Sequence, residues 1–422
     1  MRLWLVPMIY VGVSVLCGFS LPRLEQSFLG AYTLGLSVAS AQAYLSAAAS
    51  GMMALMGIVF AMAFVMVQFS AIAYSPRLVL WFARDPSLFH ALGIFAATFI
   101  YALSTLAWVD RAGTGSVPLL SSLVVATLLV LSMLLFSRLV QRVTDLQITN
   151  VLQLIGDRGR EVIRNTFQRK NGETKPEMHI GHEAISLVKS APVTQTMLYS
   201  GAPRAIASLD VARLVRMAEQ VDGVIAILCA VGDTVVEGTR LLQIHGGRGT
   251  LAQTELMRAI RLESQRTFEQ DPKYPIRLLV DIAIKALSPA INDPTTAVQT
   301  IDQIEDLLRR LGRCHLDAGY GNDAKGQLRL LFPMPTWEDY LTLGFDEIRQ
   351  FGVTSVQVMR RLRAALLGLM DSLTEAERAN MVQRYVHHLD LVIERSPLDA
   401  QDRIIARQED PQGLGLAREP TH

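Results

Sequence analysis

The residues best placed to do chemistry gather in one stretch, IRLLVDIAIKALSPAINDPTTAVQTID. Arg277, Asp281 and Lys285 recur every fourth residue, which puts a cation, an anion and a second cation on one helix face. Pro289 predicts the end of that helix. Asp293 is a good N-cap for a following helix, and Pro294 suits its first position. The amides of a helix start can hold an anion, but Asp293 already supplies negative charge there. Two readings follow. The simpler is a capped helix–helix corner with a surface charge ladder. The sharper is a ligand site drawing on Arg277, Asp281, Ser288, Pro289, Asn292, Asp293 and Pro294. Arg277, Asn292 and Asp293 have the chemistry to hold a metal–phosphate, yet no nucleophile or base stands beside them in the sequence.

Other reactive types are weaker signals. His179, His182 and Glu183 have metal-like spacing, but Gly181 interrupts the helix they would need and no third ligand is near. His387 and His388 are adjacent on a helix, point to different faces and do not make a pair. Arg360, Arg361 and Arg363 could meet anionic lipid or an acidic protein, or simply form a solvated helix face. No G-x-S-x-G, Walker loop, H-E-x-x-H, C-x-x-C or G-x-G-x-x-G arrangement occurs, so an enzyme is not expected. Neither is a cofactor or a resident metal. Cys17, Cys229 and Cys314 are too scattered for a disulfide framework or zinc site. A net charge of +1 gives no field pointing to nucleic acid.

The elements carrying these residues divide the chain sharply. Charged residues are 19% of the whole, below the usual quarter for soluble domains, and the shortfall sits in residues 1–137. Apolar stretches at about 3–21, 44–74, 90–109 and 117–137 contain no Asp, Glu or Lys. About 20 apolar helical residues cross a hydrocarbon core, and a spanning segment must close its backbone bonds internally. Four membrane helices are therefore expected. The first is read as retained rather than cleaved: no small-x-small site follows it, and Leu16 before Cys17 does not suit a lipoprotein signal.

Orientation follows from Lys and Arg beside the spans. Arg2, Arg77, Arg84, Arg138 and Arg142 lie on one side and Arg23 and Arg111 on the other, five against two. Both termini and the soluble part are expected in the cytoplasm of a bacterial inner-membrane protein. Span two is longer than a bilayer needs and must tilt or protrude. It carries Ser46, Ser50, Ala54, Gly57 and Ala61 at helical spacing, a row that lets backbones approach closely. Packing inside one subunit is the first reading of that row; a subunit–subunit or pore-lining face is the alternative. Gln68 and Ser70 are the polar groups nearest its inner end. Beyond span four, Leu139, Val143, Leu146, Ile148, Val151, Leu152 and Ile155 predict that the helix continues, with Gly156 as its stop.

The rest reads as an α+β domain: a small β-hairpin module followed by a helical bundle. The expected divisions are 1–140 (transmembrane), 141–193 (linker helix and polar segment), 194–248 (β-hairpin module), 249–396 (helical part) and 397–422 (disordered tail). Within the module, strands are predicted at 196–200, 204–207, 224–229, 234–236 and 241–244, with a helix at 209–220. Its strand–turn–strand is similar to biotinyl/lipoyl-type modules, but their attachment Lys is absent, so only a β fold is implied. Helices are predicted at 254–269, 276–287, 294–311, 336–350, 354–370 and from Thr374-x-x-Glu377 to Glu394, with a hairpin near 313–332.

The signature stretch resembles that of a bacterial membrane-protein family, domain of unknown function 2254. QFSAIAYSPRLVLWFARD after span two resembles the family's post-span motif through Gln68, Phe69, Ser75, Pro76, Arg77 and Asp85. VGDTVVEGTRL, QDPKYPIRLLVDIA and FDEIRQFG also fit, in order, across nearly the whole chain. Residues 157–193 and Ala202-Pro203-Arg204, where an aromatic is more usual, depart from it. The resemblance implies an inner-membrane protein and carries over no activity. Without intramembrane carboxylates, Lys or His, proton-coupled transport is disfavoured. An oligomeric channel regulated by its cytoplasmic domain is the leading expectation, because hydroxyls and a hydrophobic gate suffice. A non-conducting scaffold or sensor is the alternative. Expected partners are the lipid bilayer, further copies of the chain, and a cytoplasmic protein or small ligand.

Overall fold

A computed structural model describes residues 4–28, 37–73, 86–111, 117–144, 147–167, 190–316 and 319–414. These fall into two compact units, residues 1–150 and 151–422.

Among the described residues the first unit holds four apolar helices: α1 (Leu5–Phe28), α2 (Val38–Ala73), α3 (Pro86–Leu106) and α4 (Leu119–Thr144). Segments 5–25, 38–68, 86–106 and 119–141 are each long and apolar enough to cross a membrane. In α3 half of the span is buried, against 17% in each of the others, so α3 is the centre and its neighbours pack around it. Glycine sets two of these approaches. A Cβ on Gly93 would lie 2.6 Å from the Tyr10 ring, and one on Gly18 would lie 2.6 Å from Ser104 Cβ. Hydroxyls tie the bundle across these faces. Ser14 donates to the Ala97 carbonyl at 2.6 Å, and Thr98 and Ser132 share a hydrogen bond at 3.3 Å. The 36 residues of α2 would extend about 54 Å, well beyond the roughly 30 Å hydrocarbon layer.

The helix expected to run on from span four is described only in part, since residues 145–146 lie outside the described residues. Thr144 ends α4, Gln147 is a bend, and α5 (Ile148–Phe167) starts anew. Gly156 is not a stop. α5 passes through it because Gly156 and Gly159 are where the helix meets neighbours: a Cβ at 159 would lie 2.8 Å from Leu307 and 3.2 Å from Pro275.

The second unit contains a five-stranded sheet and a three-stranded sheet. Their strands are β1 (Val193–Leu198), β2 (Arg204–Leu209), β3 (Gly223–Ile227), β4 (Thr234–Val235), β5 (Arg240–Gly246), β6 (Ile260–Glu263), β7 (Gly319–Asn322) and β8 (Leu328–Phe332). The orders are β1-β5-β3-β8-β7 and β4-β2-β6; only β3 and β8 run parallel. The β7–β8 hairpin therefore returns from the helical region to complete the sheet begun by the module. Helix α6 (Val211–Gln220), capped by Asp210 on the Arg213 amide, buries Leu214, Val215 and Ala218 in the core beneath.

The predicted helix at 254–269 is not one element. Only α7 (Gln253–Arg258) is helical, and the alternating Ile260-Arg261-Leu262-Glu263 pairs with β2 as β6. The remaining helices are α8 (Lys273–Ala286), α9 (Pro294–Leu311), α10 (Trp337–Leu341), α11 (Glu347–Phe351), α12 (Val356–Asp371), α13 (Ala376–Glu394) and α14 (Ala400–Ala406). Thr336 and Asp339 close a capping box on α10, as their spacing predicts. A π-helical turn at Thr342–Asp346 separates α10 from α11, with Gly344 seated against Ile304 and Leu308 of α9. Glu375, not Thr374, is the N-cap residue of α13, and it makes no side-chain cap bond. Of the tail expected to be disordered, residues 397–414 are structured, and 415–422 lie outside the described residues. Asp410 is 1% exposed, Gly413 packs on Val298, and Gln357 donates to the Gly413 carbonyl at 2.7 Å.

Candidate functional site

The signature stretch forms the α8–α9 corner, and its polar groups bond to one another. Arg277 Nε donates to Asp281 at 2.7 Å, while its two terminal nitrogens reach both oxygens of Glu347, the Nη2 contact being 3.0 Å. Burial works against the Arg277 charge, and the two carboxylates more than offset it, holding the guanidinium above its ordinary value. Burial pulls the Lys285 ammonium below its ordinary value. Ser288 donates to the Lys285 carbonyl at 2.7 Å. Asn292 turns the chain with φ +49°, and the Asp293 amide donates to the Ala286 carbonyl at 2.8 Å. Asp293 then accepts from the Thr296 amide and hydroxyl at 3.1 and 2.6 Å, so its charge sits on the start of α9, where Pro294 is the first residue. Pro289 lies on the exposed tip. Geometrically this is a self-satisfied corner. Glu347, from FDEIRQFG, is the third member of the Arg277 group; four-residue spacing alone could not reveal it.

A second junction brings two other quoted motifs together. The turn after β3 places Gly232 against Asp271, just before α8, and Asp233 4.0 Å from the Lys273 ammonium. Gln270 brackets Leu209 of β2, accepting from its amide at 3.0 Å and donating to its carbonyl at 3.3 Å. Asp271 is 2% exposed. One of its oxygens accepts from the Lys273 amide at 3.0 Å; the other, Oδ2, has no hydrogen-bond partner among the described residues. Burial pushes this carboxyl up to about 6, against the opposing pull of Arg266 and Lys273. Its importance was invisible in the sequence, since nothing local marks Asp271 as buried.

The Arg360, Arg361 and Arg363 cluster is not a solvated face. Arg360 is 1% and Arg361 7% exposed. Arg361 bonds Asp302 at 2.7 Å and Glu305 at 2.6 Å, Arg363 pairs with Asp390, and Arg360 donates to the Glu409 carbonyl at 3.3 Å. These guanidiniums fasten α12 to α9, α13 and the tail. His387 and His388 are both exposed on α13.

In the first unit, Ser46, Ser50, Ala54, Gly57 and Ala61 are all exposed, turned away from that unit's other described helices. The packing expected inside one subunit uses another face of α2: Ala41, Leu45, Ala48, Ala49, Met52 and Val59. No described atom lies within 4 Å of a Cβ built on Gly57. Gln68 is exposed further along α2. Ser75, Pro76, Arg77 and Asp85, like His179, His182 and Glu183, lie outside the described residues. One site escaped sequence reasoning altogether. Glu25 closes the start of α4, and Trp108 carries Arg111 and Arg23 over its ring at 4.3 and 5.5 Å. An acidic residue just past an apolar run was the available signal.

A family model described as Predicted membrane protein (DUF2254) matches residues 1–367. Two similar proteins, one from Mycobacterium bovis and one from Mycobacterium tuberculosis and both named as uncharacterized, are each 25% identical over 363 residues, covering 83% of this chain and 68% of their own length. No solved structure matches.

Proposed function

Because the chain belongs to the predicted membrane protein family DUF2254, we propose that it assembles with copies of itself in a bacterial inner membrane and forms a pore between subunits, with a cytoplasmic second unit regulating it. The observation that carries this reading is the outward row of Ser46, Ser50, Ala54, Gly57 and Ala61 on α2. Lipid tails offer such a row no large side chain to meet, whereas a second helix can approach it closely. The five-to-two distribution of Arg supports a cytoplasmic second unit and cytoplasmic termini. A non-catalytic role belongs to the same reading, since the sequence holds none of the common catalytic motifs.

The same row would serve a non-conducting scaffold that binds a cytoplasmic partner. What favours that second reading is the use of bundle hydroxyls in helix–helix ties, Ser14 to Ala97 and Thr98 to Ser132. Purified full-length protein in planar bilayers separates the two. Discrete conductance steps that vanish in Gly57→Leu support a pore; silence in every oligomeric state removes it and leaves the scaffold.

A further inference from the structure

We propose that Asp271 is a proton-operated latch between the β3–β4 turn and the start of α8, closed when the carboxyl is neutral and loosened when it is ionised. The inference is independent of whether the spans conduct.

Three structural facts meet at this side chain. Asp271 is 2% exposed, so an ionised form must give up nearly all its hydration. Its Oδ1 is held by the Lys273 amide, but Oδ2 accepts no hydrogen bond from any described residue. Gly232 lies so close, at φ +90°, that a Cβ there would sit 2.2 Å from Oδ2. The turn carrying Gly232 is bonded to β2 on both sides: Gly232 donates to the Ile206 carbonyl at 2.8 Å, and Ile206 donates to the Asp233 carbonyl at 3.0 Å. Asp271 is therefore the wedge between a strand-bound turn and a helix start.

The charged and titratable groups facing it are few. Arg266 approaches Oδ2 at 3.9 Å, too far for a hydrogen bond, and is one-third exposed. Lys273 directs its ammonium toward Asp233 at 4.0 Å. Asp233 adds a negative charge from the turn, and the buried Tyr340 hydroxyl, itself without a hydrogen-bond partner, is pushed up by burial and by the Asp271 charge. The cations favour ionisation; burial, the largest influence, and Asp233 oppose it. The outcome is a carboxyl raised to about 6.

The sign follows from linkage. In the unfolded chain Asp271 would ionise near its ordinary value of 3.8. Between that value and about 6 the folded form keeps a proton that the unfolded form has lost. Stability at the junction is therefore fullest in acid and falls as pH rises through about 6. The proton is exchanged with solvent, and no other chemistry is involved.

Hydrogen–deuterium exchange on the full-length protein in nanodiscs tests the latch, with rates corrected for the intrinsic pH dependence of exchange. Segments containing Gly232 and Asp271 should be protected about tenfold more at pH 5 than at pH 7.5. Asp271→Asn, permanently neutral, should keep the acid-form protection at both pH values. Arg266→Gln removes a cation from a surface position and should move the wild-type midpoint upward, which keeps the test open if Asp271→Asn does not fold. Equal protection of the wild type at both pH values overturns the latch. So does an unchanged pH profile in Asp271→Asn, or an Arg266→Gln midpoint that stays in place or falls.

Discussion

The Glu25 carboxylate at the end of α1 accepts from both the amide and the hydroxyl of Ser121, at 3.1 and 3.0 Å, and its other oxygen accepts from the Leu120 amide at 2.7 Å. One membrane helix thereby caps another 95 residues away in sequence. The negative group lies where first-turn amides and the helix dipole favour it. Glu25→Ala removes the cap, so the bundle should lose about 1–2 kcal/mol, read as a lower melting temperature in detergent. Glu25→Gln, which keeps an acceptor without the charge, should lose less.

Gly156 and Gly159 invite opposite outcomes on α5. Alanine gains about 1 kcal/mol of helix propensity at either position. A Cβ at 156 meets mainly the end of the Gln303 side chain, which can rotate away. At 159 it meets both methyls of Leu307 at 2.8 Å and Pro275 at 3.2 Å. Overpacking there costs about 1–3 kcal/mol. Gly156→Ala should thus be neutral or slightly stabilising and Gly159→Ala destabilising, by denaturant melts of the second unit within the whole chain.

Arg361 binds two carboxylates from a buried position, its side chain 8% exposed and that of Glu305 11% exposed. Arg361→Ala should cost about 2–4 kcal/mol, chiefly by leaving Glu305 buried with one cation fewer. Arg361→Lys should recover only part of this, because a point charge cannot reach Asp302 and Glu305 with separate planar donors. Equilibrium unfolding of the two variants side by side checks the order.

These cases mark what a single sequence can reveal. The spans were legible because membrane helices need contiguous apolar residues, a purely local demand. Pro294–Leu311 was legible to the residue because Asp293 and Pro294 announce its start and Gly312 follows its end. The alternation in Ile260–Glu263 is only four residues long, too short to outweigh the helical pattern before it. Arg361 looked solvated because its partners lie 56 and 59 residues away. The tail looked disordered because its anchors, among them a buried Asp410, the Gly413 contact on Val298 and the Arg360 bond to the Glu409 carbonyl, are polar or small and do not stand out in sequence. At the signature corner the N-cap was readable, while the Glu347 grip on Arg277 was not. Asp271 shows the same limit: burial of one carboxylate is a tertiary fact.

The proposed pore requires α2 to present its small-residue row to another copy. Cysteines placed singly at Ala54 and Gly57, with Cys17, Cys229 and Cys314 replaced by Ser, should form disulfide-linked dimers when native membranes are oxidised. The same cysteine at Leu123, an exposed position on α4, should remain monomeric. Monomers at both α2 positions, or equal cross-linking at Leu123, would contradict the proposed interface.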